Sequence, residues 1–406
     1  TTDDRVPVLE VDVMGYGTYG LLMPSLDYWV QLTFLLVAQS SISVLFAVII
    51  YKFIIPNRGS TQAYLLGLGV LLPVTVILPY EAIKFLNLRN RVLMFSLTCQ
   101  PSLMSFRILE ALFGTSPHGV ELSLGNYGTY HATTLECIVD ERTNHPSKAT
   151  REHVKLKLRM TIISFCLLSA LLSITAPSSH APFDVRMPAN TLDHGFWDLV
   201  HVGHLANNFI GAALVQLCIM FGSETLGLVL GVTVGIKLVS VFENPLLESS
   251  SPSNFWGRRW NTLIHGLLKR AIYKPTRTFI GQRKFVAVMA TFLASGILHE
   301  FIWSVMFLTH GCDDASDDEK HISCFKYLPG KSFAFFAWNG IIIIFEHMVG
   351  GWLIFQRMKR TLPLPLKTAL VILTALPLGH LFTGDWIESG YFSHYAMALP
   401  IVVRLK

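Results

Sequence analysis

The stretch Phe285–Thr309, FVAVMATFLASGILHEFIWSVMFLT, decides what kind of protein this is. It carries one acidic residue, Glu300, and one histidine, His299. Coiled as an α-helix it is long enough to cross a hydrocarbon core of about 30 Å. Two other stretches match it: Trp29–Ile50 has no charge, and Ser332–Phe355 has a single acidic residue. Across 406 residues, 51% are apolar and 15% charged, with a mean hydropathy of +0.47. Water-soluble domains carry about a quarter charged residues, so water is not the main solvent of this chain. It reads as an all-α, polytopic membrane protein with about eight to ten membrane helices.

Outward from that stretch, the hydropathy pattern predicts helices over 28–54, 62–80, 92–113, 157–176, 199–221, 225–243, 285–309, 332–356, 365–382 and 389–404. No fixed-period repeat or low-complexity linker divides them, so residues 1–406 are expected to form a single membrane domain. No short apolar leader precedes the first long run, which is expected to act as its own insertion signal. Arg258, Arg259, Lys269, Arg270, Lys274, Arg277, Arg283 and Lys284 precede the 285–309 span, and Arg357, Lys359 and Arg360 follow the next, which places both loops in the cytosol. The acidic loop 311–320 and the Asp385–Glu388 segment then face the lumen. Carried backwards, this alternation fails. With the 114–156 loop cytosolic, three crossings between 157 and 243 put the basic 255–284 segment on the wrong side, so one of those three candidates is expected to be re-entrant or interfacial.

The net charge of +5 is mild, and no basic stretch is interleaved with exposed aromatics, so nucleic acid is excluded as a partner. The six cysteines form no CxxC pair. Cys312 and Cys324 bracket the acidic loop GCDDASDDEKHISC and are a candidate disulfide, which needs an oxidising compartment; two free thiols are the alternative.

His299 is the most informative residue. An ionisable side chain near the middle of a membrane span costs several kcal/mol and marks a functional site by default. A neutral imidazole can take a proton from an alcohol; a histidine bonded between helices for packing is the plainer alternative. Glu300 lies about 100° around the helix from it and is not automatically its partner. The second signal is NFWGRRWN, Asn254–Asn261, on the expected cytosolic face. Tryptophan suits the membrane interface and arginine forks bind phosphates, so the segment suits a phosphorylated co-substrate arriving at the bilayer surface. An anchor that only sets helix depth would look similar.

NFWGRRWN, followed by LLKRAIYKP and then a span bearing SGILHE, resembles the membrane-bound O-acyltransferases, and within them the plant and algal wax-synthase branch. FFAWNGIIIIFE, Phe335–Glu346, resembles that branch's next helix, where a His-Gly pair is common; here Asn339 stands before Gly340. The resemblance is specific over residues 244–350, while in the N-terminal half only SFRILEALFG, Ser105–Gly114, is similar to algal and fungal relatives. It implies helices around a central tunnel in the endoplasmic reticulum membrane, with His299 catalytic and Asn261 the second polar residue of the site. Acyl-CoA would enter from the cytosol and a lipid alcohol from the bilayer, with no resident cofactor and no metal. Trp256, Arg258, Arg259, Trp260, Lys269 and Arg270 are candidates for holding acyl-CoA, and Ser295, Glu300, Trp303, Asn339 and Glu346 for lining or supporting the tunnel. Membrane lipids and a second copy of the chain are further expected partners. The branch favours a long-chain fatty alcohol and hence a wax ester; diacylglycerol or a sterol is the alternative acceptor.

Three rival readings are weaker. Asp193, His194, Asp198, His201 and His204 in DHGFWDLVHVGH form a single metal-type box, where di-iron membrane enzymes need several. SHAPFDV, Ser179–Val185, keeps one His and one Asp of the HHxxxDG motif of soluble wax synthases and lacks the rest. A transporter could use His299, Glu300, Glu346 and His347 as an ion path, but no inverted repeat is visible.

Overall fold

The computed structural model describes residues 5–140, 142–143, 145–175, 196–309 and 327–405. The candidate disulfide Cys312–Cys324, the SHAPFDV fragment, and Asp193 and His194 lie outside the described residues. Within them, seven helices are long and apolar enough to cross a membrane: α1 (Leu26–Ile54), α2 (Thr61–Phe85), α3 (Arg91–Phe113), α5 (Arg151–Thr175), α6 (Val202–Thr233), α8 (Lys284–Leu308) and α9 (Lys331–Val349). Two further helices, α11 (Leu364–Leu378) and α12 (His380–Glu388), are long and apolar enough only when taken together, and they meet at 66°. Short helices α4 (Leu124–Ala132), α7 (Thr262–Leu268), α10 (Leu353–Thr361) and α13 (Tyr391–Ala396) complete the set used below. Local chemistry fixes several starts. The Ser25 side chain accepts from Tyr28 N at the head of α1, and Asn90 accepts from Val92 N and Leu93 N at the head of α3.

The structure corrects four of the expected spans. The segments 199–221 and 225–243 are not two helices: Val202–Thr233 is continuous. Glu224, which interrupts the hydropathy, is buried inside the protein and paired with Lys157 at 3.0 Å, and Lys157 also donates to Ser240 Oγ at 3.0 Å. Only two crossings therefore separate the 114–150 and 234–283 segments, which lie on one face and are joined by the bridges Cys137↔Leu238 and Lys148↔Ile236. The failed alternation is resolved without a re-entrant segment at this point. The helix expected over 332–356 stops at Val349, where Gly350 and Gly351 interrupt it; α10 follows with no buried residue. The helix expected over 389–404 is replaced by short α13 and a strand β3 (Ile401–Arg404), because Pro400 ends the helical run and the β-branched IVV sequence then pairs. Antiparallel strands β1 (Leu9–Val13) and β2 (Gly17–Leu22) complete a three-stranded sheet, with Leu9 opposite Leu21 and Leu22 opposite Ile401. This sheet ties the two ends of the described chain together, on the face opposite the basic loops.

Helices α8 and α9 pack at close range because of two glycines in the recognisable segments. A Cβ at Gly296 would stand 2.8 Å from Phe333 Cα, and one at Gly340 would stand 3.2 Å from Phe292 Cβ. Small residues of this kind let membrane helices approach backbone to backbone.

Candidate functional site

A cavity of about 1440 Å³ runs through the bundle, walled mainly by apolar side chains of α1, α3, α6, α7, α8 and α12. His299, Asn261, Trp256, Arg258, Trp260, Lys269 and Ser295 all line it. The segment NFWGRRWN reaches the cavity because it is not a straight helix. Phe255–Arg259 forms one π-helical turn, and Asn261 then adopts a left-handed conformation, φ +43°, which asparagine tolerates better than most residues.

His299 is oriented by its own helix. Its Nδ1 lies 2.7 Å from the Ser295 carbonyl oxygen. A carbonyl only accepts, so Nδ1 carries the proton and Nε2, which makes no hydrogen bond among the described residues, is left as an acceptor. The ring is clamped by Phe336, stacked at 4.6 Å and 24°, and by Phe382, edge-on at 5.2 Å. Phe382 comes from α12, so the bend between α11 and α12 contributes directly to this histidine's pocket. Asn261 is likewise half committed: its Oδ1 accepts from Ile264 N at 3.2 Å as the cap of α7, and its Nδ2 has no partner among the described residues.

Asn339, which precedes Gly340 on α9, has a position that explains what it does. It lines no part of the cavity. Its Oδ1 accepts from Trp256 Nε1 at 3.1 Å while its Nδ2 donates to the Phe335 carbonyl at 2.8 Å. Trp256 in turn packs edge-on against Phe336, at 6.0 Å, the ring stacked on His299. Trp260 stacks on Phe255 at 5.3 Å.

The four cations of the motif region part company. Arg258 and Lys269 are exposed at the cavity rim, joined there by Lys284. Arg259 is turned inward: it donates to the Glu243 carbonyl at 2.6 Å, to Glu248 Oε2 at 2.8 Å and to Asn254 Oδ1 at 3.0 Å. Arg270 is enclosed in a network, donating to Glu110 at 2.7 Å and to Glu136, with Tyr130 OH donating to Glu110 at 2.8 Å. His265, also on the cavity wall, has its pKa lowered by burial and then by the charges of Lys269 and Arg270.

The remaining supporting residues serve the framework. Glu300 reaches the start of α9, accepting from Gly330 N at 3.0 Å, Phe333 N at 3.1 Å and the Tyr327 hydroxyl. Glu346 accepts from Ser253 N at 2.7 Å and Ser253 Oγ at 3.0 Å, tying the motif segment to α9. Trp303 is buried behind the cavity with its Nε1 on Ser332 Oγ at 3.2 Å. His201 caps α6 and His204 bonds the Pro377 carbonyl at 3.0 Å, so these two histidines have separate structural tasks. Among the described residues no cluster of His, Cys, Asp and Glu has the makings of a metal site. Phe336, Phe382 and Lys284 are the site residues that sequence reasoning passed over. Phe336 stood inside a quoted motif, whereas nothing local marks Phe382.

The family comparison falls on this same region. A family model described as membrane bound O-acyl transferase matches residues 239–316, which include Asn261 and His299. The probable long-chain-alcohol O-fatty-acyltransferase 2 of Arabidopsis thaliana is 30% identical over 153 residues, covering 33% of this chain and 43% of the relative. Over residues 239–316 the chain is similar to the membrane-bound O-acyltransferase family. The long-chain-alcohol O-fatty-acyltransferase of Simmondsia chinensis is 27% identical over 147 residues, 32% of this chain and 40% of the relative. The acyl-CoA–sterol O-acyltransferase 1 of Arabidopsis thaliana is 34% identical over 76 residues, 18% and 22% of the two chains. The chain thus spans less than half the length of each of these three relatives. Within the family-matching region, the structure brings the histidine of SGILHE and the asparagine that ends NFWGRRWN onto one cavity.

Proposed function

We propose that this chain transfers a fatty acyl group from acyl-CoA to the hydroxyl of a long-chain lipid alcohol, giving a wax ester, in the endoplasmic reticulum membrane. The observation that supports this most is the state of His299: proton on Nδ1, held by Ser295, and a free Nε2 in a large, mainly apolar cavity with a basic rim. A hydroxyl bound there gives its proton to Nε2 as its oxygen attacks the thioester carbonyl. Asn261 Nδ2 donates to the oxyanion that develops. Collapse of that intermediate breaks the carbon–sulfur bond, and the departing thiolate takes the proton back from Nε2, leaving ester and free CoA. Thiolate is a good leaving group, so no covalent enzyme intermediate is required. Arg258, Lys269 and Lys284 suit the phosphates of CoA at the rim, where guanidinium and ammonium groups stay hydrated until a phosphate arrives.

The acceptor is the finer part of the reading. The named activities of the relatives from Arabidopsis and Simmondsia include long-chain alcohols and, for one, a sterol. Purified protein in nanodiscs, given labelled acyl-CoA and competing hexadecanol, diacylglycerol and sterol, is expected to release free thiol and form mainly wax ester. An intact thioester with every acceptor would overturn the enzyme reading, and preferential sterol or glyceride ester would overturn the acceptor.

A further inference from the structure

The cavity has a second polar wall that acyl transfer at His299 leaves unused. Gln39 of α1 and Gln100 of α3 both line it, and both are more than nine-tenths buried, with 7% and 3% of their surface exposed. Gln100 Nε2 donates to Ser43 Oγ at 3.0 Å and to the His131 carbonyl at 2.8 Å. Because that carbonyl only accepts, the orientation of the amide is fixed, and Oε1 is the atom left without a partner. Ser43 lies one turn along α1 from Gln39, so the bond from Gln100 to Ser43 brings the two amides alongside each other. Gln39 Nε2 is also buried, and among the described residues neither it nor Gln100 Oε1 has a partner. Across the cavity lining, Thr225 of α6 adds a further hydroxyl with no partner among the described residues. Unpaired amides inside membrane spans are costly, so their collection on one wall of a lipid-sized cavity needs a reason.

The chemistry of the two free atoms narrows what fits. A methylene satisfies neither, a carbonyl satisfies only the Gln39 donor, and an ammonium only the Gln100 acceptor. A hydroxyl satisfies both, accepting from Gln39 and donating to Gln100. We propose that this wall is a recognition subsite for a hydroxyl carried along the chain of a lipid substrate, separate from the hydroxyl that reacts at His299. The inference rests on the acyl-transfer reading above, and it makes the protein selective for hydroxylated chains over plain ones of equal length. The chain that bears the group is either the acyl chain of the thioester or that of the alcohol.

The test pairs hexadecanoyl-CoA or its mid-chain hydroxylated equivalent with hexadecanol or a mid-chain hydroxylated hexadecanol, using the full chain in nanodiscs. The wild type should favour one hydroxylated substrate by about tenfold in kcat/KM, and the arm that shows the preference identifies which chain occupies the wall. Gln39→Leu removes no hydrogen bond seen within the protein and should bring that ratio close to one; Gln100→Met should do the same. A wild-type ratio near one in both arms, or a ratio unchanged by both variants, overturns the subsite. Thermal stabilisation by the mid-chain hydroxylated alcohol, compared between wild type and Gln39→Leu, reads the same subsite without turnover. Absence of ester from the plain pair with a Gln39-dependent shift would therefore sink the acyl-transfer reading and keep the subsite; good turnover of the plain pair with no such shift and a kcat/KM ratio near one in both arms would do the reverse.

Discussion

Two polar clusters sit in the same bundle and behave oppositely. Around Arg270, the carboxylates of Glu110 and Glu136, the Tyr130 hydroxyl and the guanidinium use up one another's hydrogen-bonding capacity, and Arg107 lies over the Tyr130 ring at 4.3 Å. Around His299, one nitrogen is held by a backbone carbonyl, the ring packs against two phenylalanines, and the other nitrogen has no hydrogen bond among the described residues. The difference separates scaffold from chemistry. A buried ionic cluster that is complete holds elements in place, here pinning the motif segment to α3 and to the 124–136 stretch. A buried polar atom left open beside a cavity is available to a ligand.

Variants can break that contrast at either pole. His299→Ala should lower ester formation by about 10²- to 10⁴-fold while the thermal unfolding midpoint stays near that of wild type; near-normal turnover would remove the base assignment. Glu110→Ala should do the opposite, because it strands Arg270 with one carboxylate fewer. A loss of about 3–5 kcal/mol is expected, read as a lowered unfolding midpoint and poor yield, with turnover per folded molecule close to wild type. A smaller effect tests the split among the cations. Arg258→Ala should raise the KM for acyl-CoA about five- to tenfold with kcat little changed, an effect that shrinks as salt is added. Arg259→Ala should leave that KM alone and lower stability, and identical behaviour of the two variants would count against the division. Smallest of all, Asn339→Leu frees the Trp256 indole one ring away from His299. It should reduce kcat by about threefold without altering the acyl-CoA KM, as expected for loss of roughly one buried hydrogen bond.

Parts of this contrast are legible in the chain itself. His299 stands out because a titratable residue in the centre of a run such as FLASGILHEFIW has few reasons to be there. NFWGRRWN stands out by its density of tryptophan and arginine. The fate of the individual cations does not show: Arg258 and Arg259 are neighbours of one type, yet one faces solvent at the cavity rim and the other is locked to Glu243, Glu248 and Asn254. The same holds for Glu224, which reads as a break in a span until Lys157, far away in sequence, neutralises it.

The sequence by itself determined the solvent, the helical class and the two segments that meet at the cavity, because apolar run length and residue type are local properties that the bilayer reads directly. Only the tertiary structure decided that 202–233 is one continuous helix, which cations are spent on internal carboxylates, that Phe382 closes over His299, and that Gln39 and Gln100 share a wall. Each of those depends on which side chains from distant parts of the chain come within bonding distance, and inside a bundle that pairing settles whether a polar atom is satisfied or left open.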